Sequence, residues 1–292
     1  FVATNITLLA GGSMIFLPKF DADAMIAALP SATAMMGVPT FYARLLDDPR
    51  FTRDLVAHMR LFVSGSAPLL AETHRRFQDR TGHRILERYG MTETNMNASN
   101  PYDGDRRAGT VGFPLPGVEL MITDPATGAG LPQGETGMIE VRGPNVFQGY
   151  WQMPEKTAEE LRPDGFFITG DLGFVDADGY LHIVGRGKDL IISGGYNIYP
   201  KEIELVLDAI AGVKESAVVG VPHPDFGESP VAVLVCEAGA RVDADTVRAA
   251  TRDLARFKQP RHIAIVDDLP RNSMGKVQKN LLRERFGGVF SD

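Results

Sequence analysis

The order of an apolar run, a glycine-containing turn and a helical segment is the feature that most constrains the fold of this chain. The run is Leu61–Ser64, and Gly65 follows it directly. Pro68 can begin a helix because its missing N–H would have no partner in a first helical turn, and Gly82 can end that helix in a left-handed conformation. Strand, turn and helix in this order are typical of parallel α/β layers. The sequence therefore predicts an α/β fold class.

Three stretches of different character follow one another along the chain. Residues 1–108 alternate strand-like and helical patterns and are predicted to form the α/β layer, with Met14–Leu17 as a further buried strand. Residues 109–185 hold short β-rich runs between turn pairs. Asp178-Gly179 is a strong hairpin signal among them, so we predict a small antiparallel sheet or barrel. Residues 186–292 return to alternating strands and helices and have the size of a compact α+β domain.

Composition and charge narrow the class of protein. With 292 residues, of which 44% are hydrophobic, there is enough apolar surface for one large or two ordinary domains. The net charge of −7 argues against a nucleic-acid partner, which would need a concentrated basic face. Phe1–Leu17 is too short and too polar to span a membrane, and a single cysteine excludes an internal disulfide. We therefore expect a cytoplasmic protein in which Cys236 is a buried strand residue.

Five short motifs carry residue types suited to binding a nucleotide. In sequence order they are S-G-S-A-P at Ser64–Pro68, Y-G-M-T-E-T at Tyr89–Thr94, T-G-D at Thr169–Asp171, G-R-G-K-D at Gly185–Asp189 and N-S-M-G-K at Asn272–Lys276. The second motif combines an aromatic ring, a glycine, hydroxyls and a carboxylate, which could stack on a base, bond a phosphate and hold Mg²⁺. Taken alone, each motif could equally be an ordinary turn with a capping threonine or a solvated charge.

Together and in this order, the motifs resemble those of the acyl-adenylate-forming (AMP-binding) superfamily, which includes acyl-CoA synthetases, peptide-synthetase adenylation domains and luciferases. The resemblance implies that residues 1–185 belong to the large adenylate-forming domain, with 109–185 as its β-rich subdomain. It also implies that residues 186–292 form a small mobile lid, and that ATP, Mg²⁺ and coenzyme A are the cofactors. The family carries a Ser/Thr/Gly-rich, lysine-ended phosphate loop upstream of these motifs. None precedes Tyr89, so we interpret the chain as the C-terminal part of a longer enzyme.

The resemblance assigns most nucleotide contacts to the first four motifs. The residues implied to bind ATP or AMP are Gly65, Ser66, Ala67, Tyr89, Gly90, Met91, Thr92, Asp171 and Arg186. Residues 65–67 would lie on one face of the adenine, and Tyr89 would pack on it. Thr92 would bond the α-phosphate, Glu93 would hold Mg²⁺, and Asp171 would accept hydrogen bonds from the ribose hydroxyls.

The resemblance makes Lys276 the catalytic residue of adenylation, acting with Thr92 and Glu93. In the family, the matching lysine reaches the substrate carboxylate and the α-phosphate, where it stabilises the negative charge that spreads in the transition state. Lys188 matches the family's hinge position. Rotation there would exchange Lys276 for Gly194–Gly195, whose bare backbone would let the pantetheine arm of coenzyme A pass.

Arg88 is the residue that bears on the acyl substrate. An arginine facing the acyl pocket would bind a second carboxylate through two parallel hydrogen bonds, and would be costly to leave unpaired beside an apolar tail. The stretch L-E-R-Y-G-M-T-E-T, together with M-M-G-V-P-T-F-Y at Met35–Tyr42, resembles malonyl-CoA synthetases. We therefore favour a short dicarboxylic acid, with malonate ahead of methylmalonate or succinate. The alternative is that Arg88 points to solvent or pairs with a structural aspartate.

Other functions stay open on the sequence alone. The acyl acceptor is expected to be coenzyme A, but another small or medium carboxylic acid could be the substrate. The chain could also be a non-catalytic fragment, or the target of a lysine acetyltransferase that removes the charge of Lys276. His58, His74 and His83 have no partner motif and are expected to be surface residues. We expect no nucleic-acid or membrane partner.

Overall fold

The computed structural model describes residues 2–272 and 275–291, and the chain divides into two compact units. The first unit comprises residues 1–169 and 173–183, and the second comprises residues 170–172 and 184–292. Ser273 and Met274 of the N-S-M-G-K motif lie outside the described residues. No helix within the described ranges is long and apolar enough to cross a lipid bilayer.

The first unit opens with alternating helices and strands and continues with mostly β-structure. Its helices are α1 (Val2–Leu9), α2 (Ala22–Ala28), α3 (Pro39–Asp47), α4 (Arg53–Val56), α5 (Ala71–Thr81) and α6 (Pro154–Glu160). Its strands are β1 (Ala34–Gly37), β2 (Leu61–Ser64), β3 (Leu86–Tyr89), β4 (Ala98–Ser99), β5 (Phe113–Pro114), β6 (Glu119–Thr123), β7 (Gly137–Arg142), β8 (Phe167–Val175) and β9 (Leu181–Arg186). The two elements β8 and β9 each include residues that group with the second unit.

Strands β1, β2 and β3 run parallel in one sheet, which β4 and β5 extend in antiparallel fashion. The three parallel strands end at Gly37, Ser64 and Tyr89, so these residues meet at one edge of the sheet. Loops at the carboxyl ends of parallel strands are where ligands bind in open α/β sheets. The α/β fold class predicted from the sequence is confirmed.

Aromatic side chains form the core of this α/β layer. Phe77 on α5 lies edge-on to Tyr42 on α3 and to Phe62 on β2, with ring centroids 5.5 and 4.9 Å apart. All three side chains are fully buried. The Tyr42 hydroxyl donates a hydrogen bond of 2.6 Å to the Val63 carbonyl, and burial raises the pKa of Tyr42 far above its usual range. The layer therefore rests on T-shaped aromatic packing and one satisfied buried hydroxyl.

The β-rich part of the first unit is a four-stranded sheet in the order β6-β7-β8-β9. The pair β6 and β7 is antiparallel, with Glu119 opposite Arg142. The hairpin predicted at Asp178-Gly179 is confirmed, because β8 and β9 are neighbours and the amide of Asp176 donates to the carbonyl of Tyr180. Gly179 has a φ of +90°, which a residue with a side chain rarely adopts.

The second unit is a mixed sheet with helices on both faces. Its elements are β10 (Ile191–Ser193), β11 (Tyr196–Ile198), α7 (Pro200–Asp208), β12 (Val213–His223), β13 (Gly227–Cys236), α8 (Ala244–Thr251), β14 (His262–Ile265) and α9 (Lys279–Phe286). The strand order is β11-β10-β13-β12, and β14 pairs in parallel with β13. Alternate residues of β12 and β13 belong to two different core clusters, one packed with α7 and α8 and the other with α9.

Two predicted elements differ from the structure. Met14–Leu17 does not form a strand, and Phe16 is 81% exposed. An apolar run of four residues predicts burial, but it forms a strand only where a neighbouring strand pairs with it. The helix expected to begin at Pro68 begins instead at Ala71, after Leu70 in an extended conformation. Gly82 ends that helix as predicted, with a left-handed φ of +79°.

Burial also differs from prediction at two residues. His74 is only 1% exposed, and its Nδ1 lies 3.4 Å from Oε1 of buried Glu87, so its assignment to the surface was wrong. The sequence could not reveal this pair because its members lie on different elements, α5 and β3. Burial raises the pKa of Glu87 despite the hydrogen bond from His74. Cys236 lies at the end of β13 and is half-buried rather than fully buried.

Truncation of the central aromatic residue should destabilise the first unit. We expect Phe77→Ala to lower the free energy of unfolding by about 3–5 kcal/mol, because it removes the ring that both Tyr42 and Phe62 contact. Urea denaturation followed by circular dichroism measures the change. Arg75→Ala on the exposed face of the same helix should change it by less than about 1 kcal/mol. Similar losses in the two variants would contradict this description of the core.

Candidate functional site

The loop after β2 has a shape suited to close approach by a flat ligand. Ser66 has a left-handed φ of +67°, which is unusual for a residue with a side chain and costs about 1–3 kcal/mol. A Cβ added to Gly65 would lie 3.6 Å from Cγ of Arg88, so the loop packs directly against that arginine. Residues 65–67 therefore present backbone and small side chains at the edge of the parallel sheet, as predicted for a loop facing the adenine. That role stays a prediction.

Gly90 permits the sharp return of the loop after β3. A Cβ added at Gly90 would lie 1.9 Å from the carbonyl oxygen of Asn95, a distance that no real side chain tolerates. The amide of Asn97 donates back to the Tyr89 carbonyl at 2.9 Å. Residues 91–94 are thereby held in a tight loop in which the Thr92 side chain is exposed to solvent. An exposed hydroxyl at this position is able to bond a ligand phosphate.

Asn145 fastens this loop to the β-rich part of the same unit. Its Nδ2 lies 2.8 Å from the carbonyl of Thr94 and 3.2 Å from the carbonyl of Met96. Asn95 returns a weaker hydrogen bond of 3.4 Å to the Asn145 carbonyl. These contacts hold the backbone that carries Thr92 and Glu93 from a segment about 50 residues further along the chain.

Glu93 lies in a small network of polar side chains. The Tyr150 hydroxyl donates to Oε2 of Glu160 at 2.5 Å and lies 3.2 Å from Oε1 of Glu93. The Lys156 ammonium is 2.6 Å from Oε1 of Glu160. Partial burial and then the two nearby carboxylates raise the pKa of Tyr150 well above its usual range. Tyr150 therefore stays protonated, and its single hydroxyl proton can be shared between Glu160 and one oxygen of Glu93.

This donor set fits Mg²⁺. Within the described ranges there is no cluster of three or more metal-binding side chains. Mg²⁺ in nucleotide sites commonly takes one or two carboxylates and completes its octahedron with phosphate oxygens and water. A single carboxylate at Glu93, beside the exposed Thr92, matches that pattern. The sequence-based assignment of Glu93 is compatible with the geometry and stays a prediction.

Tyr89 is more deeply buried than a base-stacking residue needs to be. Only 7% of it is exposed, and it belongs to a core cluster that includes Ala98, Ile122 and Phe167. A base could therefore contact only a small part of the ring. Much of the role of Tyr89 is to join the parallel sheet to the β-rich sheet of the same unit.

Arg88 is a partly buried cation without a carboxylate partner among residues 2–272 and 275–291. Within that range, its Nη2 makes a weak polar contact of 4.0 Å with the sulfur of Met36. Burial lowers the pKa of Arg88, although the nearby Tyr42 acts in the opposite direction. The structural aspartate considered as an alternative partner is therefore not found in the described part of the chain. A half-buried guanidinium of this kind can bind an anionic group of a ligand.

In the second unit, two predicted nucleotide residues lie together. The Arg186 Nε is 2.7 Å from Oδ1 of Asp171, and Asp171 is buried whereas Arg186 is largely exposed. A buried carboxylate held by an arginine has a fixed orientation, which suits acceptance of hydrogen bonds from adjacent hydroxyls.

The remaining predicted residues of the second unit lie on turns. Lys276 is exposed, and its amide donates to Oδ1 of Asn272 at 3.0 Å. Gly194–Gly195 have left-handed φ values of +57° and +82°, and the amide of Gly194 donates to the Phe226 carbonyl. Lys188 is exposed within a short 3₁₀ turn, Gly187–Asp189.

The residues that support these side chains were not predicted from the sequence. Tyr150 and Asn145 lie 57 and 51 residues after their partners Glu93 and Thr94. The only signal available was their place in the motif-like stretches R-G-P-N and G-Y, which carry no distinctive chemistry by themselves. Long-range partners of this kind become visible only in the folded chain.

Two protein-family profiles match separate parts of the chain, one toward each end. The sequence profile of the AMP-binding enzyme family matches residues 1–151, and that of the AMP-binding enzyme C-terminal domain matches residues 202–276. Among solved structures, ATP-bound MatB from Rhodopseudomonas palustris is 62% identical with a TM-score of 0.97. The match covers 100% of this chain and 58% of that chain.

Curated relatives are similarly longer than this chain. Feruloyl-CoA synthase of an Amycolatopsis species is 42% identical over 96% of this chain and 58% of its own length. Malonate–CoA ligase of Arabidopsis thaliana is 39% identical over 87% of this chain and 44% of its own length. The chain thus spans about half the length of the curated relatives that it matches.

Substitution of Gly90 should disrupt the loop that carries Thr92 and Glu93. We expect Gly90→Ala to destabilise the protein by about 1–3 kcal/mol, because the new Cβ would overlap the Asn95 carbonyl. Thermal unfolding and AMP binding by calorimetry measure the two effects, and both should worsen. Gly130→Ala is the control, since its Cβ would meet nothing closer than 3.7 Å. Unchanged nucleotide binding in Gly90→Ala would refute the structural role of this glycine.

Proposed function

Because the chain belongs to the AMP-binding enzyme family, we propose that it is part of an AMP-forming acyl-CoA ligase. The reaction joins a carboxylic acid to AMP with release of pyrophosphate, and then transfers the acyl group to the thiol of coenzyme A with release of AMP. Relatives named as feruloyl-CoA synthase, sulfoacetate–CoA ligase and malonate–CoA ligase support this class of reaction. ATP, Mg²⁺ and coenzyme A are the implied cofactors, and the structure relative MatB is bound to ATP.

The proposed acyl substrate is malonate, and Arg88 is the observation that supports it. Its guanidinium is half-buried at the edge of the parallel sheet and lacks a carboxylate partner in the described part of the chain. An apolar acyl tail would leave that charge desolvated and unpaired, which is unfavourable. The second carboxylate of malonate would pair with it bidentately.

The names of two relatives favour an acyl substrate that carries a second anionic group, but they do not identify that group. Malonate carries two carboxylates, and the sulfoacetate ligase acts on an acid whose second group is a sulfonate. Feruloyl and long-chain fatty-acid ligases also occur among the relatives, so another small or medium acid is the alternative substrate. The Arg88 guanidinium, which lacks a carboxylate partner among the described residues, favours the dianionic acids.

We propose that the loop after β3 binds the nucleotide phosphates. Thr92 would donate to the α-phosphate, and Glu93, held by Tyr150, would bind Mg²⁺. In the second unit, the Asp171 carboxylate would accept from the ribose hydroxyls while Arg186 orients it. Residues 65–67 would face the adenine.

Lys276 is the proposed catalytic residue of adenylation. Its ammonium projects from an exposed turn, and a lysine delivered to the α-phosphate would stabilise charge that develops in the transition state. Residues 186–292 would act as a mobile lid that turns at Lys188 and later brings Gly194–Gly195 to the pantetheine arm. Acetylation of Lys276 by a lysine acetyltransferase stays a prediction, to which the relatives add no support.

Removal of the Arg88 charge should reduce activity toward dicarboxylic acids selectively. We expect Arg88→Ala to lower kcat/KM for malonate by about 10- to 150-fold, the loss of one charged hydrogen-bonded pair, with a much smaller change for acetate and butyrate. Pyrophosphate release by the intact protein, measured over a panel of mono- and dicarboxylic acids, checks this. Arg84→Ala, which removes an exposed arginine paired with Asp105, is the control. An equal loss for all acids would reject malonate as the substrate.

Lys276→Ala should slow the first half-reaction, adenylation, without slowing the second, thioester formation. We expect adenylate formation to fall by about 100- to 1,000-fold, whereas thioester formation from pre-made malonyl-adenylate stays near the rate of the parent protein. Isotope exchange between pyrophosphate and ATP measures the first step, and thioester formation measures the second. Lys214→Ala, at another exposed lysine of the second unit, should affect neither. If both half-reactions fell together, the role of Lys276 would be wrong.

A further inference from the structure

The turn that carries Lys276 is closed by backbone hydrogen bonds at its base. Arg271 pairs with Val277 as an isolated antiparallel bridge. The amide of Asn272 donates to the Lys276 carbonyl at 3.0 Å, and the amide of Gly275 donates to the Asn272 carbonyl at 2.9 Å. The turn therefore has a defined backbone path at each end of its described part.

The Arg271 side chain crosses this turn and is anchored outside it. Its Nη1 donates to the Gly275 carbonyl at 2.7 Å. Its Nη2 forms a short ion pair with Glu215 on β12. The two side chains of this pair are about three-quarters buried, with 28% and 23% of each exposed. Arg271 thus links the turn to a long central strand of the second unit.

The Gly275–Lys276 peptide group is held at both ends. Its carbonyl oxygen accepts from Arg271, and its N–H, the amide of Lys276, donates to Oδ1 of Asn272. A peptide group is planar, so two fixed ends fix the orientation of the backbone from which the Lys276 side chain leaves. Gly275 has a φ of +79° and no side chain, and without these bonds its peptide could rotate readily.

From this geometry we propose that Arg271 is a positioning residue for Lys276, with Glu215 as its anchor. The inference rests on the proposed role of Lys276 in adenylation. The fork of the guanidinium serves two partners at once, with one nitrogen on the carbonyl and the other on the carboxylate. A lysine cannot reproduce that geometry, because its single ammonium is a point charge.

The proposal is tested by measuring adenylation and thioester formation separately in the Arg271→Met variant. The change keeps most of the side-chain volume and removes both hydrogen bonds. We expect kcat of adenylation to fall by about 10- to 100-fold, since misplacement of a reacting group by about 1 Å has effects of this size. The KM for ATP and the rate of thioester formation from pre-made adenylate should stay within about threefold, because neither depends on the placement of Lys276.

Four further variants test whether the effect is specific to the Arg271–Glu215 pair. Arg271→Lys should recover part of the lost kcat, and Glu215→Gln should lower kcat less than Arg271→Met does. Arg248→Met removes an arginine from an exposed pair with Asp245 on α8 and should leave both half-reactions unchanged. Combining Arg271→Met with Glu215→Gln should add no further loss, because the anchor acts only through the arginine.

The outcomes distinguish this inference from its premise. If Lys276→Ala abolishes adenylation but Arg271→Met leaves it intact, only the positioning role fails. If Arg271→Met lowers both half-reactions equally along with the unfolding temperature, the residue is merely structural and the inference is overturned. If Lys276→Ala itself spares adenylation, the proposed function of that lysine fails, and the positioning role fails with it.

Discussion

The parallel pairing of β1, β2 and β3 is the constraint on which the rest of the candidate site depends. Because the strands run in the same direction, their carboxyl ends lie at one edge, where Ser64, Arg88 and Tyr89 come together. Each loop that leaves this edge has a backbone feature suited to close packing. Ser66 is left-handed, and Gly90 leaves room for the Asn95 carbonyl. A different register would separate the very residues that the nucleotide and acid are proposed to contact.

Some buried charged side chains have an ion-pair partner within the protein, whereas Arg88, the side chain proposed to bind the acid, does not have one among the described residues. Buried Glu140 is satisfied by Arg162 at 2.6 Å, and buried Asp171 is satisfied by Arg186 at 2.7 Å. Arg88 is partly buried, yet no carboxylate faces it in the described part of the chain. A ligand with a complementary negative group would give this partly desolvated guanidinium the partner that it lacks among the described residues. This contrast, more than the identity of any relative, favours an acid with a second negative group.

The turns of the second unit that carry proposed ligand-binding residues are supported in a different way. Its central strands β12 and β13 place alternate side chains in two core clusters, so the sheet is covered on both faces. The residues proposed to act on ligands lie on turns at its periphery, such as Lys276 and Gly194–Gly195. Arg271 and Glu215 connect one of these turns to β12. Rigid strands with anchored turns allow a catalytic side chain to be exposed and still well oriented.

The amino-acid sequence alone was enough to predict the α/β class, the family, the hairpin at Asp178-Gly179 and the left-handed end of α5 at Gly82. These features depend on short-range properties, namely backbone conformation, periodicity and motif order. Such properties are determined by residues that lie close together in the sequence. It was wrong about Met14–Leu17, since a strand needs a partner that local pattern does not supply.

The partners of the site residues were decided by tertiary structure. Tyr150 reaches Glu93 across 57 positions and Glu215 meets Arg271 across 56, and His74 is buried against Glu87 from another element. Burial and hydrogen bonding between distant segments depend on which surfaces the fold brings together. No local sequence pattern predicts these contacts, because each of them forms only when distant segments pack together in the folded chain.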